Sequence, residues 1–387
     1  MNLRKIRESL LRFRLETVHQ HTGIPLLRLK RIENGDAPDI AEIELLATAY
    51  GIPADTLAED PIQFNPQNGV HLLARSSEFM DWTEYVRYQI VQISNAANDV
   101  AKLQAMFANR GYPTPSVADF PPLPAMRSNS SPWEQGRDLA HAFREYYGLG
   151  NTPLSSVRDF VLDLNVITLL YCKLGDLGPA GLTFANANQN AVVALNLDGK
   201  NSNPTARRVS LAHELCHVWV DWRRPTPLAK ISGYPAPRQL EVEQRANAFA
   251  IRLLCPETVI NNHLDNSRDG LRTAEYLIRE FGLPYSAAKN YLQHTCSITI
   301  TDRPPPTLRA VGIDQRWEAG EQPEGVYNFP LHEVPIERRT SIARYATDLY
   351  AEGLIQRDYF AEMLGVSPSL KLESVLDFFN IDLSTKE

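Results

Sequence analysis

An H-E-x-x-H run, His213-Glu-Leu-Cys-His217, lies in a segment of this chain that has helical apolar spacing. Residues four apart lie one above the other on a helix, so the imidazoles of His213 and His217 would point at one location. Neutral imidazole nitrogens that converge in this way are typical zinc ligands. Glu214 lies about 100° round the helix, which is too far for a ligand but suits a group that holds a water molecule beside the metal. The run therefore predicts a hydrolytic metal site.

The flanking residues predict that this run lies on a buried helix. Asn203 is a suitable N-cap, Pro204 fits the first helical position, and Pro225 would stop the helix. Apolar residues at positions 209, 212, 216 and 219 give the helix one buried face. Because H-E-x-x-H also arises by chance, a third metal ligand is needed to support the assignment.

A catalytic zinc site uses three protein ligands and keeps a fourth position open, so a further donor is expected elsewhere. The next predicted helix, residues 239–254, offers Glu243, which shares a face with small side chains three and seven positions on. Small side chains let two helices approach closely, so the Glu243 carboxylate can reach the metal. Glu241 lies on another face and Asp221 lies two turns along the first helix, so both are weaker candidates.

These two helices resemble those of the ImmA/IrrE-type metallopeptidases. The likeness lies in Arg208-Val-Ser-Leu-Ala-His-Glu-Leu-Cys-His217, Glu243-Gln-Arg-Ala-Asn-Ala-Phe-Ala250 and Leu253-Leu-Cys-Pro256, and it covers residues 132–295. The resemblance implies a zincin-like peptidase domain in which Glu214 is the general base and Zn²⁺ is bound by His213, His217 and Glu243. It also implies the substrate class, a regulatory protein such as a repressor that silences stress-response or mobile-element genes.

At 387 residues the chain is long enough for two or three domains. Its 43% hydrophobic and 22% charged residues are typical of a soluble globular protein. The most apolar run, residues 160–172, is too short to cross a bilayer, and the first residues lack the apolar core of a signal peptide. The four cysteines form neither a C-x-x-C pair nor a disulfide pattern. We therefore expect a cytoplasmic protein without membrane contacts.

The sequence predicts an α+β, mainly helical protein of four parts. These are a helix-turn-helix domain at residues 1–60, a connecting helix and proline-rich linker at 61–131, a zinc peptidase domain with a small β-sheet at 132–300, and a helical C-terminal domain at 301–387. The connecting helix, residues 81–109, has apolar spacing that favours packing against another helix, as a spacer or a homodimer strut. Residues 112–132 contain six prolines and are expected to form a stiff, exposed linker.

The N-terminal part is predicted to contain five short helices, at residues 3–13, 15–20, 25–33 and 40–49 and in a last turn near residue 53. Gly23 lies between the second and third helices and Gly35 follows the third, and glycines at these helix ends are typical of a helix-turn-helix motif. The segment resembles the Xre/Cro-type DNA-binding domain, with Ile32-Glu-Asn-Gly35 and Leu45-Leu-Ala47 as the matching residues. This resemblance implies a five-helix bundle that binds DNA.

The charge of the N-terminal part agrees with an anionic partner. Residues 1–35 carry eight Lys or Arg and three acids, whereas residues 36–60 carry seven acids and no Lys or Arg. The third helix carries three basic side chains that are expected to contact DNA phosphates, Arg28, Lys30 and Arg31. Arg28 is also expected to reach a base. Leu26 and Leu27 stand where such domains usually place base-reading polar residues. A module reused for protein contacts is therefore the alternative.

Inside the peptidase domain the expected elements are helices at residues 133–147 and 154–164, a strand at 166–171, a β-hairpin of 181–185 and 191–196, and helices at 256–264, 271–281 and 285–293. Residues 191–195 are the candidate edge strand that adds extended substrate to the sheet, with a plain structural hairpin as the alternative. The oxyanion-stabilising group stays open between His263, His294, Tyr234 and an arginine. A helical tail is expected at residues 338–379.

These expectations describe a zinc endopeptidase that cleaves a regulatory protein and has a DNA-associated module. The alternative is a DNA-binding transcriptional regulator whose zinc site is structural or sensory and catalyses no cleavage. Both interpretations predict bound zinc. They differ in whether Glu214 is needed as a proton carrier.

Overall fold

The structure is a computed structural model that describes residues 3–58, 77–126, 129–185, 191–221, 228–232, 240–267, 269–301, 303–306, 308 and 315–381. These residues are mainly helical and contain one small β-sheet, in agreement with the expected α+β class. Within these ranges, no helix combines the length and the hydropathy needed to cross a lipid bilayer.

The N-terminal part contains five short helices near the predicted positions. Helix α1 begins as Leu3–Lys5 and continues as a π-helical turn, Ile6–Leu11, and it is followed by α2 Leu15–Thr22, α3 Leu26–Glu33, α4 Ile40–Tyr50 and α5 Ala54–Ala58. Gly23 ends α2 with a φ of 71°, a left-handed conformation that favours glycine. Asp39 caps α4 through a capping box with Glu42. Local signals in the sequence account for these boundaries.

The described residues of the connecting segment include α6, Ser77–Asp81, and the long helix α7, Glu84–Ala108. The predicted apolar face of α7 is covered, and Ile90 and Leu103 on it are fully buried. This face packs against α4 and against the C-terminal helix Ser341–Ala351. The apolar face of α7 is therefore covered within the same chain, by helices of the N-terminal and C-terminal parts.

The proline-rich stretch at residues 112–132 is not the exposed linker that its composition predicts. It contains a 3-10 turn, Val117–Asp119, and the side chains of Val117 and Phe120 are buried in the core of residues 132–300, the predicted peptidase domain, called the peptidase region below. The indole N–H of Trp219 donates a hydrogen bond of 2.9 Å to the Pro121 carbonyl. Apolar side chains between the prolines thus attach this stretch to the peptidase region.

The helices of the peptidase region are α8 Pro132–Tyr146, α9 Val157–Asp163, α10 Pro204–Cys216, α11 Leu240–Leu254, α12 Glu257–Ser267, α13 Gly270–Phe281 and α14 Tyr285–Cys296. Helix α10 continues as a π-helical turn, His217–Asp221. Pro225, the predicted stop of this helix, lies outside the described residues. Helix α11 packs against both α8 and α10, so the two helices singled out in the sequence lie side by side.

The sheet has four strands in the order β1-β3-β2-β4, with bounds β1 Thr168–Cys172, β2 Gly181–Ala185, β3 Ala191–Asn196 and β4 Leu228–Ser232. Strands β2 and β3 pair antiparallel, as the predicted hairpin requires, and its loop at residues 186–190 lies outside the described residues. Strand β1 pairs parallel with the other side of β3. The prediction that residues 191–195 form a substrate-binding edge is therefore wrong, because β3 is hydrogen-bonded on both sides.

The two faces of the sheet belong to different cores. Val193 and Leu195 of β3 lie in a core with α8, α10 and α11, whereas Val192 and Ala194 lie in a core with α7 and the C-terminal helices. Successive side chains of a strand alternate between its faces in this way. The H-E-x-x-H helix therefore lies on one face of the sheet, and the connecting helix lies on the other.

The C-terminal part contains α15 Gln315–Glu321, a 3-10 turn Ile336–Arg338, α16 Ser341–Ala351, α17 Arg357–Leu364 and α18 Glu373–Phe378. The predicted helical tail is thus divided into three short helices. Helix α16 packs against α7 and α17. Helix α15 packs against α10, where Glu321 forms a buried ion pair of 2.8 Å with Arg208. The C-terminal part therefore contacts the helix that holds the H-E-x-x-H run.

Candidate metal centre

Local sequence signals and core packing fix the helix that contains the H-E-x-x-H run. The Asn203 side chain accepts a hydrogen bond from the Thr205 amide, and Pro204 occupies the first helical position, as expected for these residue types. Leu211 and Leu215 are buried in the core beneath the helix. The histidines of the run therefore project from a rigid element.

Helices α10 and α11 bring His213, His217 and Glu243 together. His213 Nε2 lies 3.0 Å from His217 Nε2 and 3.0 Å from one carboxylate oxygen of Glu243. The other carboxylate oxygen of Glu243 lies 3.3 Å from His217 Nε2. All three side chains are buried, and one atom of each lies within 4.8 Å of the others. This group, called the metal cluster below, can hold a metal ion.

Hydrogen bonds on the far side of each imidazole determine which nitrogen faces the metal cluster. His217 Nδ1 donates to Asp221 Oδ2 at 2.7 Å, and His213 Nδ1 donates to Asn247 Oδ1 at 3.0 Å. With Nδ1 protonated, a neutral imidazole presents a lone pair at Nε2. Two lone pairs and a carboxylate then face one another, and this arrangement needs a cation between them. The donor set therefore fits a metal ion.

The charges at the cluster keep Glu243 ionised. Burial alone would raise the pKa of this carboxyl, but when the imidazoles carry a proton at Nε2 in place of a metal ion, hydrogen bonds from His213 and His217 lower the pKa by more, so that it lies far below its usual range. Protons on the imidazoles thus stabilise the same carboxylate that a metal ion would stabilise. Because protons and the metal ion compete for these groups, metal affinity should fall as the pH falls.

Glu214 lies beside the metal cluster and is not a member of it, as its position on the helix predicts. Its Oε2 accepts a hydrogen bond of 2.6 Å from the Thr183 hydroxyl on β2. Its Oε1 is buried and bonds to none of the described residues. A Cβ atom at Gly181 would come within 2.4 Å of that oxygen, so the glycine leaves room for it. Gly181 and Thr183 belong to no local sequence motif, because only the fold brings β2 against α10.

Asp221 has a different role from that of a ligand, because it contacts the nitrogen of His217 that faces away from the cluster. Arg245 forms an ion pair with the other carboxylate oxygen of Asp221. Outer carboxylates of this kind commonly fix the orientation and tautomer of metal-binding histidines. Glu241, the other weaker candidate, is exposed on α11. Of the three carboxylates considered in the sequence, the structure places Glu243 against both imidazoles.

The predicted oxyanion candidates do not belong to the metal cluster. The ring of His263 stacks on Tyr276 with ring centres 4.2 Å apart, and the ring of His294 stacks on Trp133 at 5.2 Å. Tyr234 lies outside the described residues. The two histidines are therefore held by aromatic neighbours on other helices of the peptidase region.

Lys200 places a positive charge near the site, although the sequence did not single it out. Desolvation lowers the pKa of its ammonium group, and the nearby carboxylates of Glu214 and Glu243 act in the opposite direction. The adjacent Asn201 is fully buried, and its side chain bonds both to the Ala180 carbonyl before β2 and to α10. Asn201 therefore fixes the position of the chain at Lys200 relative to the metal cluster.

Among the predicted DNA contacts, Arg28 is occupied within the N-terminal part. Its guanidinium donates a hydrogen bond of 2.7 Å to Glu42, so it is not free to reach a base. Lys30 and Arg31 are exposed, and the ion pair of Arg31 with Asp36, at 3.8 Å, is exposed and weak, so both cations can contact phosphates. Of the two leucines at the front of α3, Leu27 is exposed. The surface of α3 thus offers both cations and an apolar side chain.

Comparison with known proteins covers the region around the metal cluster. Residues 167–293 match the Peptidase_M78 family, described as an IrrE N-terminal-like domain. A search of curated proteins with this chain gave no match. The matched region contains the four strands of the sheet and the two helices that form the metal cluster. The match indicates a peptidase, and it supports the assignment of this region to the ImmA/IrrE-type family.

Proposed function

We propose that this chain is a cytoplasmic, zinc-dependent endopeptidase of the H-E-x-x-H type that cleaves a regulatory protein such as a transcriptional repressor. The observation on which the proposal depends is the environment of one helical turn. His213, His217 and Glu243 converge, and the adjacent Glu214 keeps a buried oxygen that bonds to no described residue. A structural metal site has no need of a free base beside its ligands, whereas hydrolysis requires one.

Zinc suits this donor set. Two imidazole nitrogens and one carboxylate form a typical set for catalytic zinc, which keeps its fourth position open. The metal cluster has these three members within the described part of the chain. A zinc ion bound there supplies Lewis acidity, which lowers the pKa of water and polarises the scissile carbonyl.

The side chain of Glu214 carries the proton. Its Oε1 takes a proton from the attacking water, while the Thr183 hydroxyl holds Oε2 and keeps the carboxylate from rotating away. The same oxygen then delivers this proton to the leaving amine, which restores the carboxylate. Asp221 and Asn247 keep the imidazoles in the tautomer whose Nε2 faces the metal cluster.

The proposed link to transcription and the stress response depends on the N-terminal part. Residues 1–35 carry eight basic side chains against three acids, and Lys30 and Arg31 are exposed on α3. A cationic helix of this kind suits the phosphate backbone of DNA. The family resemblance implies a repressor-like substrate. The chain would encounter such a substrate on DNA or close to it.

The direct test is incubation of the full chain with the proteins encoded beside its gene, with and without a zinc chelator, followed by mass spectrometry of the products. The control is Glu214→Gln, which preserves the side-chain shape and removes the basic oxygen. We expect fragments of a neighbouring protein only when it is incubated with the wild-type chain. We expect none with the chelator or with Glu214→Gln, although this variant should still bind zinc.

The alternative is a DNA-binding regulator whose zinc site is structural or sensory. It predicts that Glu214→Gln leaves both zinc content and transcriptional regulation unchanged. Regulation that survives this substitution in the cell would therefore reject the peptidase mechanism and favour the alternative.

A further inference from the structure

A cavity of about 540 Å³ lies between α9, strand β1 and the C-terminal part of the chain. The described residues that line it include no member of the metal cluster. Pockets that bind whole small molecules generally measure about 300–1,000 Å³, so this cavity is large enough for a small organic molecule. Its apolar wall consists of Leu162, Leu169, Tyr345, Phe378 and Phe379.

Three arginines also line the cavity, Arg158, Arg339 and Arg344. The guanidinium of Arg339 donates hydrogen bonds to three main-chain carbonyls of the segment before α16, and these carbonyls do not neutralise its charge. Arg158 is bound to Asp159 at 2.8 Å, and Arg344 is bound to Asp348 at 3.0 Å. The Arg344 side chain is half-exposed, so solvent weakens its ion pair and leaves the guanidinium able to bind another anion.

The negative charges at the cavity are weaker than the positive ones. Among the described residues, two carboxylates line the cavity, Asp159 and Glu324. Asp159 is already bound to Arg158, and the side chain of Glu324 is 84% exposed, so water screens its charge. Glu337, whose charge acts on Arg339, is not among the described lining residues. The cavity therefore favours an anionic occupant over a cationic one.

A fourth arginine, Arg207 of α10, strengthens this preference. Arg207 is 5% exposed, and its buried Nε and Nη2 atoms bond to none of the described residues. Its charge reaches the cavity wall: burial raises the pKa of the Tyr171 phenol, and the charges of Arg158 and Arg207 oppose this rise. A buried cation with unpaired N–H groups is costly, so a negative charge bound nearby is stabilised.

The N-terminus of α16 lies at the same cavity, because Thr340 and Ser341 both line it. The Ser341 hydroxyl donates to the Leu169 carbonyl on β1. The Thr340 hydroxyl is buried and bonds to none of the described residues, and it does not cap the helix. Free N–H groups and the helix dipole make the first turn of a helix favourable for anions. This helix end, the free hydroxyl and the arginines thus favour the same kind of group.

We propose that this cavity, called the arginine cavity below, binds a small organic anion. The carboxylate or phosphate group of the anion lies against Arg344 and the N-terminus of α16, and its apolar body packs against Phe378 and Phe379. Cation and apolar surface adjoin here, since the Arg344 guanidinium lies 5.5 Å from the ring centre of Phe379 and the two phenylalanine ring centres are 5.1 Å apart. The inference does not depend on the proposed peptidase function.

The test compares three compounds with one apolar body, naphthylacetate, naphthyl phosphate and the neutral naphthylacetamide. Their Kd values for the full chain are measured by calorimetry, with and without a zinc chelator. Because hydrogen bonds to charged groups are stronger than neutral ones, we expect at least one anion to bind about tenfold to hundredfold more tightly than the amide. The tighter anion identifies the head group as carboxylate or phosphate. Equal affinities, or no binding of any compound, would overturn the proposal.

The chelator separates the arginine cavity from the metal cluster. We expect the same Kd values with and without it, because no described residue of the cavity wall belongs to the metal cluster. A preference for anions that disappears with the chelator would place the anion on the metal ion and reject the arginine cavity. Since the measurement needs no cleavage, its failure leaves the peptidase mechanism untouched, and failure of the peptidase mechanism leaves the cavity untouched.

Two matched variants locate the bound anion. Arg344 is bound to Asp348 at 3.0 Å and Arg279 to Glu275 at 2.9 Å, each four positions apart on one helix and with a half-exposed guanidinium. Arg344→Gln should weaken binding of the anion about tenfold and leave binding of the amide unchanged. Arg279→Gln, outside the described cavity wall, should change neither.

A third variant, Thr340→Val, keeps the side-chain shape and removes the free hydroxyl. It should weaken binding of the anion by a smaller factor, and it disturbs no hydrogen bond between described residues. Thermal unfolding checks that all three variants are folded, and Thr340→Val decides the question if Arg344→Gln is not. Anion affinity that is unchanged in folded Arg344→Gln, or in folded Thr340→Val where that variant decides, would reject the arginine cavity.

Discussion

Gly181 on β2 lies so close to Glu214 on α10 that a Cβ atom at position 181 would come within 2.4 Å of the Glu214 Oε1 atom. The backbone of Gly181 is in an extended strand and has no positive φ, so alanine is compatible with its conformation. The absence of a side chain at position 181 therefore leaves room for the Glu214 carboxylate. Strand β2 thus limits the positions that the carboxylate of Glu214, the proposed general base, can occupy.

The first prediction follows from this contact. Gly181→Ala should displace the Glu214 carboxylate while the metal cluster, which lies on α10 and α11, stays intact. A displacement of about 1 Å in a catalytic group can reduce activity about hundredfold, so we expect kcat/KM to fall by that factor with zinc content unchanged. Steady-state cleavage of an identified substrate measures this. Full activity in the variant would mean that Glu214 does not act from the observed position.

A second prediction concerns the buried ion pair between Arg208 and Glu321. Burial lowers the pKa of Arg208 to about 10 and raises the pKa of Glu321. Desolvation therefore disfavours both charges, and their attraction to each other opposes this effect. Loss of one partner leaves the other buried and unpaired, so Glu321→Gln should lower the free energy of unfolding by about 3–5 kcal/mol. The double variant Arg208→Met with Glu321→Leu should lose much less. Urea denaturation distinguishes them, and equal losses would show that the charges are not the cause.

A third prediction concerns pH. Hydrogen bonding to Arg28 lowers the pKa of Glu42 from 4.5 to about 2. Because the folded-state pKa is lowered, the ion pair stabilises the N-terminal part fully above pH 4.5, and this contribution is lost as the pH falls towards 2. Arg28→Ala should therefore move the Glu42 pKa back towards 4.5 in an NMR titration of its carboxyl carbon. An unchanged midpoint would assign the shift to the hydrogen bond with Asp39 instead.

A fourth prediction tests the DNA interface. Lys30→Ala combined with Arg31→Ala should weaken binding to duplex DNA and reduce the slope of log affinity against log salt by about 2, because each phosphate contact contributes about 0.9. Arg28→Ala should have a smaller effect, since this guanidinium is already bound to Glu42. Fluorescence anisotropy over a salt series gives both slopes. Absence of binding at low salt would favour a protein partner on the α3 surface around Leu27.

The sequence predicted the groups that depend on helical spacing. His213 and His217 share a face of one helix, and Glu243 needs only the close approach of a second helix with small side chains. The structure brings these three together. Gly181 and Thr183 gave no such signal, because they reach Glu214 only through the packing of the sheet on α10. Their roles depend on tertiary contacts, and local sequence patterns do not indicate these contacts.

The order of the strands and the packing of the proline-rich stretch could not be predicted, for a related reason. A hairpin pattern specifies the pairing of β2 with β3, but it does not reveal that the earlier strand β1 covers the other side of β3. Proline content likewise favoured an exposed linker, whereas Val117 and Phe120 found partners in the peptidase core. In both cases the deciding contact joins segments that are distant in the sequence.

The zinc content of two matched variants tests whether His213, His217 and Glu243 bind one zinc ion. Elemental analysis should find about one zinc per chain in the wild type and in Glu241→Ala, because Glu241 is exposed on α11. Glu243→Ala should lose most of its zinc while remaining folded. Full zinc occupancy in Glu243→Ala, or loss of zinc in Glu241→Ala instead, would contradict the proposed metal centre.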